Sequence, residues 1–164
     1  MLSKSLQDAV NEQIKNEIQS AYLYLAMSAY CETQNLPGMA KWLRVQWQEE
    51  LAHGLKLFDF VHDRGGRVAL QALEKPKAEF KSARDVFEHV FTHEQKVSAS
   101  INRLYDLAIK ENDHAAQVEL QWFVKEQVEE EKNALMIVNQ LKMAGESGAT
   151  LLMLDRALAA RSAS

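Results

Sequence analysis

The 164-residue chain contains one cysteine, two prolines and six glycines, and each scarcity excludes something. Cys31 stands alone, so an intramolecular disulfide is impossible; in helical surroundings such a residue is usually a small buried hydrophobe in a reducing compartment. With so little Pro and Gly the chain lacks the punctuation of a many-stranded fold, while Ala, Leu, Glu, Gln and Lys dominate long stretches, so an all-α fold is expected. Cationic excess is missing as well. The formal net charge is −4, which disfavours nucleic acid and anionic membranes as partners and makes a small cation more natural. No apolar run approaches a membrane span, and the opening Met1-Leu2-Ser3-Lys4-Ser5-Leu6-Gln7-Asp8 lacks the apolar stretch of a signal peptide, so the expected location is the cytoplasm. There is no solenoid-length repeat and no low-complexity segment.

What is present is helical periodicity. Hydrophobic residues make up 47% of the chain and charged residues 26%, enough for one core and one domain over 1–164. Leu6, Val10, Ile14, Ile18, Ala21 and Leu25 recur at helical spacing and predict a helix over about 5–34, broken by Asn35-Leu36-Pro37-Gly38. Pro37 suits the first turn of a second helix, about 37–64, carrying Leu43, Trp47, Leu57, Phe60 and Val61 and stopping at Gly65-Gly66. Val86, Phe87, Val90, Phe91, Val97, Ile101 and Leu104 predict a third over about 82–111. Asn112-Asp113 offers a turn and cap before a fourth, about 114–143, with Val118, Leu120, Phe123, Val124, Ile137 and Leu141. Tight turns make two antiparallel hairpins. The roughly 15 residues between the second and third helices can extend about 50 Å, enough to cross a bundle of helices about 42 Å long from end to end. A short amphipathic helix at about 150–160 is too small to be stable alone and is expected to pack on a partner chain.

Polar residues interrupt the apolar stripes at one level. Glu17 shares a face with Val10, Ile14, Ala21 and Tyr24; Glu50 and His53 share one with Leu43, Trp47 and Leu57; Glu94 is framed by Phe87, Val90, Val97 and Ile101; Gln127 and Glu130 lie between Leu120, Phe123, Ala134 and Ile137. Each interruption falls within a turn of its helix midpoint, so the groups converge whichever way the helices run. Taken singly, each glutamate could be an ordinary core-edge residue reaching solvent. Four at one height, with His53 at metal-ligand spacing, are better explained by two divalent cations that cancel four buried charges. Oxygen-rich ligands with one imidazole suit iron or manganese rather than a thiolate-seeking metal.

These residues carry a resemblance. Glu17, Glu50-Leu51-Ala52-His53, Glu94 and Gln127-Val128-Glu129-Glu130 resemble the ferroxidase centre of bacterial and archaeal non-haem ferritins, and the phrases Gln48-Glu49-Glu50 and Gln121-Trp122-Phe123 extend the likeness over about residues 5 to 160. Ferritin-like folds are themselves the standard example of a bundle with one long crossover and inward carboxylates. The resemblance implies a ferritin-like four-helix bundle with a short fifth helix, oxidation of Fe(II) by dioxygen or hydrogen peroxide, storage of ferric mineral, no haem, and a homo-oligomeric hollow shell of 24 subunits. It implies that Glu17, Glu50 and His53 hold a first iron and that Glu50, Glu94 and Glu130 hold a second, with Glu50 bridging and Gln127 a neutral neighbour. Gln127-x-x-Glu130 stands where a general di-iron bundle has a second Glu-x-x-His, which argues against bacterioferritin; the absence of paired cysteine motifs argues against rubrerythrin.

Glu49, Glu126 and Glu129 lie about one residue round from the central groups. By themselves they read as a solvated acidic face; the resemblance implies an additional iron site sharing Glu130. Tyr24, two turns from Glu17, corresponds to a tyrosine able to donate an electron or organise the site, and could otherwise be a packed aromatic. Trp122 reads as core. His89 and His93 read as a surface pair pointing away from Glu94, and His62, His114 and the methionines have no evident role. Two other functions remain in competition: a peroxide-consuming mini-ferritin, whose ligands lie between subunits, and a metal-free helical interaction module.

Overall fold

A computed structural model describes residues 1–162; residues 163 and 164 of the expected span lie outside those described. The described residues form five helices and no strand: α1 (Lys4–Thr33), α2 (Pro37–Asp63), α3 (Ala83–Lys110), α4 (His114–Ala144) and α5 (Gly148–Leu158). Four starts are made by local side chains. Ser3, Ser82, Asp113 and Ser147 accept from the backbone N–H three residues on, at Leu6, Asp85, Ala116 and Thr150, each satisfying a first-turn donor. The tight turns after α1 and α3 each use an asparagine in the left-handed region, Asn35 at φ 58° and Asn112 at φ 53°, a conformation asparagine tolerates better than bulkier residues.

The segment between α2 and α3 crosses the bundle along α1. The Gln7 side chain accepts from Arg67 N–H at 2.8 Å, Asn11 exchanges bonds with Arg67 and Ala69 at 3.0 Å each, and Gln19 does the same with both backbone groups of Glu74. Phe80 then meets the Tyr30 ring at 5.3 Å. From Gln7 to Tyr30 is 23 residues of α1, about 35 Å of rise, so the end-to-end crossover expected from its length is what forms.

Two apolar cores lie on either side of a polar belt. Tyr24, Met27, Met39, Leu43, Phe87, Ile137 and Leu141 belong to one; Leu6, Val10, Ile14, Leu57, Val61, Ile101, Leu120 and Phe123 belong to the other. Leu25 and Val118, placed on inward stripes by spacing, are instead 37% and 70% exposed. Tyr24, one residue and about 100° of helix from Leu25, takes the inward position there, and Leu120, two residues and about 200° from Val118, faces the core while Val118 faces out.

Candidate metal centre

Every residue expected in the centre from its place on a stripe is buried: Glu17 and Tyr24 on α1, Glu50 and His53 on α2, Glu94 on α3, Gln127 and Glu130 on α4. His53 Nδ1 lies 3.5 Å from Glu50 Oε2 and 3.9 Å from Glu17 Oε2. Ligand atoms of Glu17, Glu50 and His53 fall within 4.8 Å of one another, as do those of His53, Glu126 and Glu130, so either trio could hold a metal ion. Glu94, buried on α3, lies near enough to Glu50 and Glu130 for its charge, after burial, to raise the pKa of both.

Neutral donors hold these carboxylates. Gln13 Nε2 donates to Glu17 Oε1 at 2.7 Å, and Gln46 Nε2 donates to both Glu50 Oε1 and Glu130 Oε2 at 2.9 Å. Gln127 Nε2 donates to Glu94 Oε2 at 3.1 Å, and the Tyr24 hydroxyl donates to Glu94 Oε1. Neither Gln13 nor Gln46 stood out in the sequence. Both precede a ligand-type glutamate by four residues on the same helix face, a spacing at which glutamine and a carboxylate meet, and that is the signal that could have found them. Glu17 Oε2 has no hydrogen-bond partner although it is buried, so this oxygen remains available for a cation.

Burial drives the electrostatics. It pushes the carboxyls of Glu17, Glu50 and Glu94 upward, with repulsion from the other glutamates adding to it, and raises Glu130 to about 8. The Tyr24 hydroxyl is raised for the same reasons, burial first and Glu94 next. A charged carboxylate taken from water is costly unless paired. Without a cation this centre therefore favours protons on its oxygens, and two divalent ions could replace them.

The family described as Ferritin, ferritin-like domain, matches residues 7–144. The chain belongs to it. It is similar to the bacterial non-heme ferritin of Bacteroides fragilis, 43% identical over 148 residues that cover 90% of this chain and 93% of the relative. It is 40% identical to that of Staphylococcus saprophyticus, covering 99% and 97%. Among solved structures, an open pore ferritin from the hyperthermophilic archaeon Archaeoglobus fulgidus superposes with a TM-score of 0.98 at 49% identity, over 99% of this chain and 100% of that one. The ferritin fold expected from the sequence is thus the fold observed, and iron storage is the function that membership carries.

Outside the buried cluster, two expectations change. Trp122 is not core: it is 39% exposed, lies edge-on to His53 at 5.3 Å between ring centroids and carries Lys56 Nζ 5.1 Å above its ring. Phe123 takes the inward position, and Trp122 covers His53 from the solvent side. His89 and His93 are both half-buried and separately engaged rather than a surface pair. His93 Nε2 is 2.7 Å from Ser20 Oγ and its ring stands edge-on to Tyr24, so it backs the centre; burial lowers its pKa to about 4. His89 engages the Asp85 carbonyl and Lys77. Cys31 is buried and free, its thiol pushed up to about 12 chiefly by burial, as an inert small hydrophobe should be. Glu49, Glu126 and Glu129 line one pocket with Glu130, Asn133 and Arg161. Glu49 and Glu126 are half-buried and Glu129 is exposed, so this flank is wetter than the centre.

Proposed function

We propose that this ferritin oxidises Fe(II) at the buried carboxylate cluster and stores the ferric product. The observation that carries the reading is the convergence of Glu17, Glu50, Glu94 and Glu130 with His53 in a space where burial disfavours four unpaired negative charges. Glu17, Glu50 and His53 hold a first iron; Glu50, Glu94 and Glu130 hold a second, with Glu50 shared. Gln127 holds Glu94 in place and adds no charge. Two Fe(II) each give up one electron, and dioxygen takes two electrons and two protons to become hydrogen peroxide. With hydrogen peroxide as oxidant, the same two electrons and two protons yield two waters. Shared carboxylate ligation keeps the two one-electron donors close enough to deliver both electrons to one oxidant molecule. Tyr24, donating to Glu94 and packed on His93, orients that carboxylate and is placed to supply a further electron.

Glu49, Glu126 and Glu129, sharing Glu130, take a third iron between the centre and the store. The whole chain, 1–164, works as one domain. It assembles into a homo-oligomeric shell of 24 copies, a reading supported by its likeness to solved ferritins along its full length and by apolar side chains such as Val118, Leu152 and Met153 left exposed on the single chain. Among the described residues no helix is long and apolar enough to cross a membrane. We assign it to the cytoplasm, with neither haem nor nucleic acid among its partners.

Aerobic addition of two Fe(II) per subunit to metal-free protein tests the reading. Ferric absorbance should rise within seconds and the iron should remain with the protein on gel filtration. E50A, which removes the shared ligand, should lower the initial rate by about 100-fold or more. Oxidation no faster than in buffer, or a parental rate in E50A, overturns it.

A further inference from the structure

The first turn of α2 has no side-chain cap of its own, because Leu36 stands before it. The cap comes from α5. Asp155, buried, accepts from Gly38 N–H at 3.1 Å and Met39 N–H at 2.8 Å, placing a carboxylate at the positive end of the helix. The approach is backbone to backbone: a Cβ on residue 38 would sit 1.8 Å from the Asp155 carbonyl oxygen, so only glycine fits. Lys41 Nζ then donates to the Ala159 carbonyl at 2.7 Å. These bonds lay the chain beyond α5 along α2, one residue at a time, until Arg161 reaches the acidic pocket.

There the guanidinium carbon lies 4.1 Å from the centroid of the Trp42 ring, Nη1 donates to the Trp42 carbonyl at 3.4 Å, and Nη2 pairs with the Glu49 carboxylate. Only 17% of the Arg161 side chain and 11% of that of Glu49 is exposed, so the pair is not a loose surface contact. Glu126, Glu129, Glu130 and Asn133 line the same pocket, of about 280 Å³.

We infer that Arg161 is a tethered cation that competes with metal for Glu49 and thereby sets the affinity of the flanking pocket. This rests on reading that pocket as a third metal site. The competition has a definite physical form. A guanidinium stays charged at any ordinary pH and matches a carboxylate with its planar fork, so protons do not relieve it. Because α5 is docked by Asp155 and Lys41, Arg161 remains near Glu49 after displacement, at an effective concentration fixed by a very short tether. A divalent ion takes Glu49 from Arg161 on arrival, and Arg161 takes it back when the ion moves on. Among the described residues the centre has no tethered cation of this kind, whereas at the flank an arriving metal displaces a side chain that cannot diffuse away. The flank is consequently the more readily vacated of the two, as a transfer point must be.

Calorimetric titration of metal-free shells with Zn(II), which is redox-inert, separates this inference from the reading beneath it. The parent, R161Q, R161K and the triple replacement E49A/E126A/E129A are compared. Removal of the competing charge should tighten a third binding event in R161Q by about tenfold, leaving the two tighter events unchanged; R161K, which keeps the charge, should stay within about threefold of the parent. A chain ending at Ala160 should behave as R161Q does, which guards against an effect peculiar to glutamine. A third event absent from both the parent and R161Q, or one that survives the triple replacement, defeats the flank as a metal site. A third event that the triple replacement removes but R161Q leaves unchanged or weaker overturns the role of Arg161 while the site stands.

Discussion

Glu49 and Glu50 are consecutive on α2, and Glu129 and Glu130 are consecutive on α4, yet the members of each pair live under different electrostatics. Glu50 and Glu130 are buried and joined through the neutral amide of Gln46. Glu49 is half-buried and paired with the positive charge of Arg161, while Glu129 is exposed. One residue of helix, about 100° of rotation, moves a carboxylate from a space where burial favours its protonated form to the edge of the bundle, where Arg161 lies against Glu49 and Glu129 meets solvent. The same side chain is thus buried among other carboxylates in one place and set beside an arginine or solvent in the other.

The largest expected effect follows from the central carboxyls. Glu130, at about 8 when folded, has an ordinary unfolded value, so the native state binds more protons than the unfolded state between those two values. Stability of the metal-free protein should be full below about pH 4.5 as far as this group is concerned, and should fall as pH rises towards 8, by on the order of 4 kcal/mol from Glu130. Glu17, Glu50 and Glu94, also raised, push in the same direction. Thermal midpoints measured across this range, with and without Zn(II), check it: bound metal should flatten the slope. A metal-free protein that grows more stable over the interval would show that the central carboxylates are ionised and paired, erasing the contrast with the flank.

The central half of that contrast was legible in the sequence because helical period alone decides which side chains share a face. Glu17, Glu50, His53, Glu94, Gln127 and Glu130 needed only spacing and helix midpoints to be brought together. Period also failed where one position competes with the next, as Leu25 lost to Tyr24 and Trp122 to Phe123. The flank was half legible: Glu49, Glu126 and Glu129 could be grouped, but Arg161 could not. It lies 112 residues from Glu49, in a segment whose placement depends on Asp155 capping a helix 117 residues away, and no local pattern encodes that meeting. His93 was misread for a related reason, since its partners Ser20 and Tyr24 belong to another helix.

A smaller effect is expected at Gln127, whose amide holds Glu94 in place: Nε2 donates to Glu94 Oε2 at 3.1 Å and approaches Ser98 Oγ at 3.3 Å. Q127E replaces a donor with an anion facing Glu94. The added charge strengthens retention of ferric iron in a weakly screened interior, making the centre behave less like a place that empties. The first turnover should survive, and recovery of the fast phase between successive Fe(II) additions should slow by about tenfold. Equal recovery in both proteins would remove Gln127 from control of release.

The central claim is that the buried cluster holds two irons and the neighbouring pocket a third. Anomalous diffraction at the iron edge, from crystals soaked anaerobically in Fe(II), reads it directly. Two strong peaks per subunit should appear, one among Glu17, Glu50 and His53 and one among Glu50, Glu94 and Glu130, with a weaker third beside Glu49, Glu126 and Glu129. Iron confined to the flank, or none among the four buried carboxylates, would contradict the account.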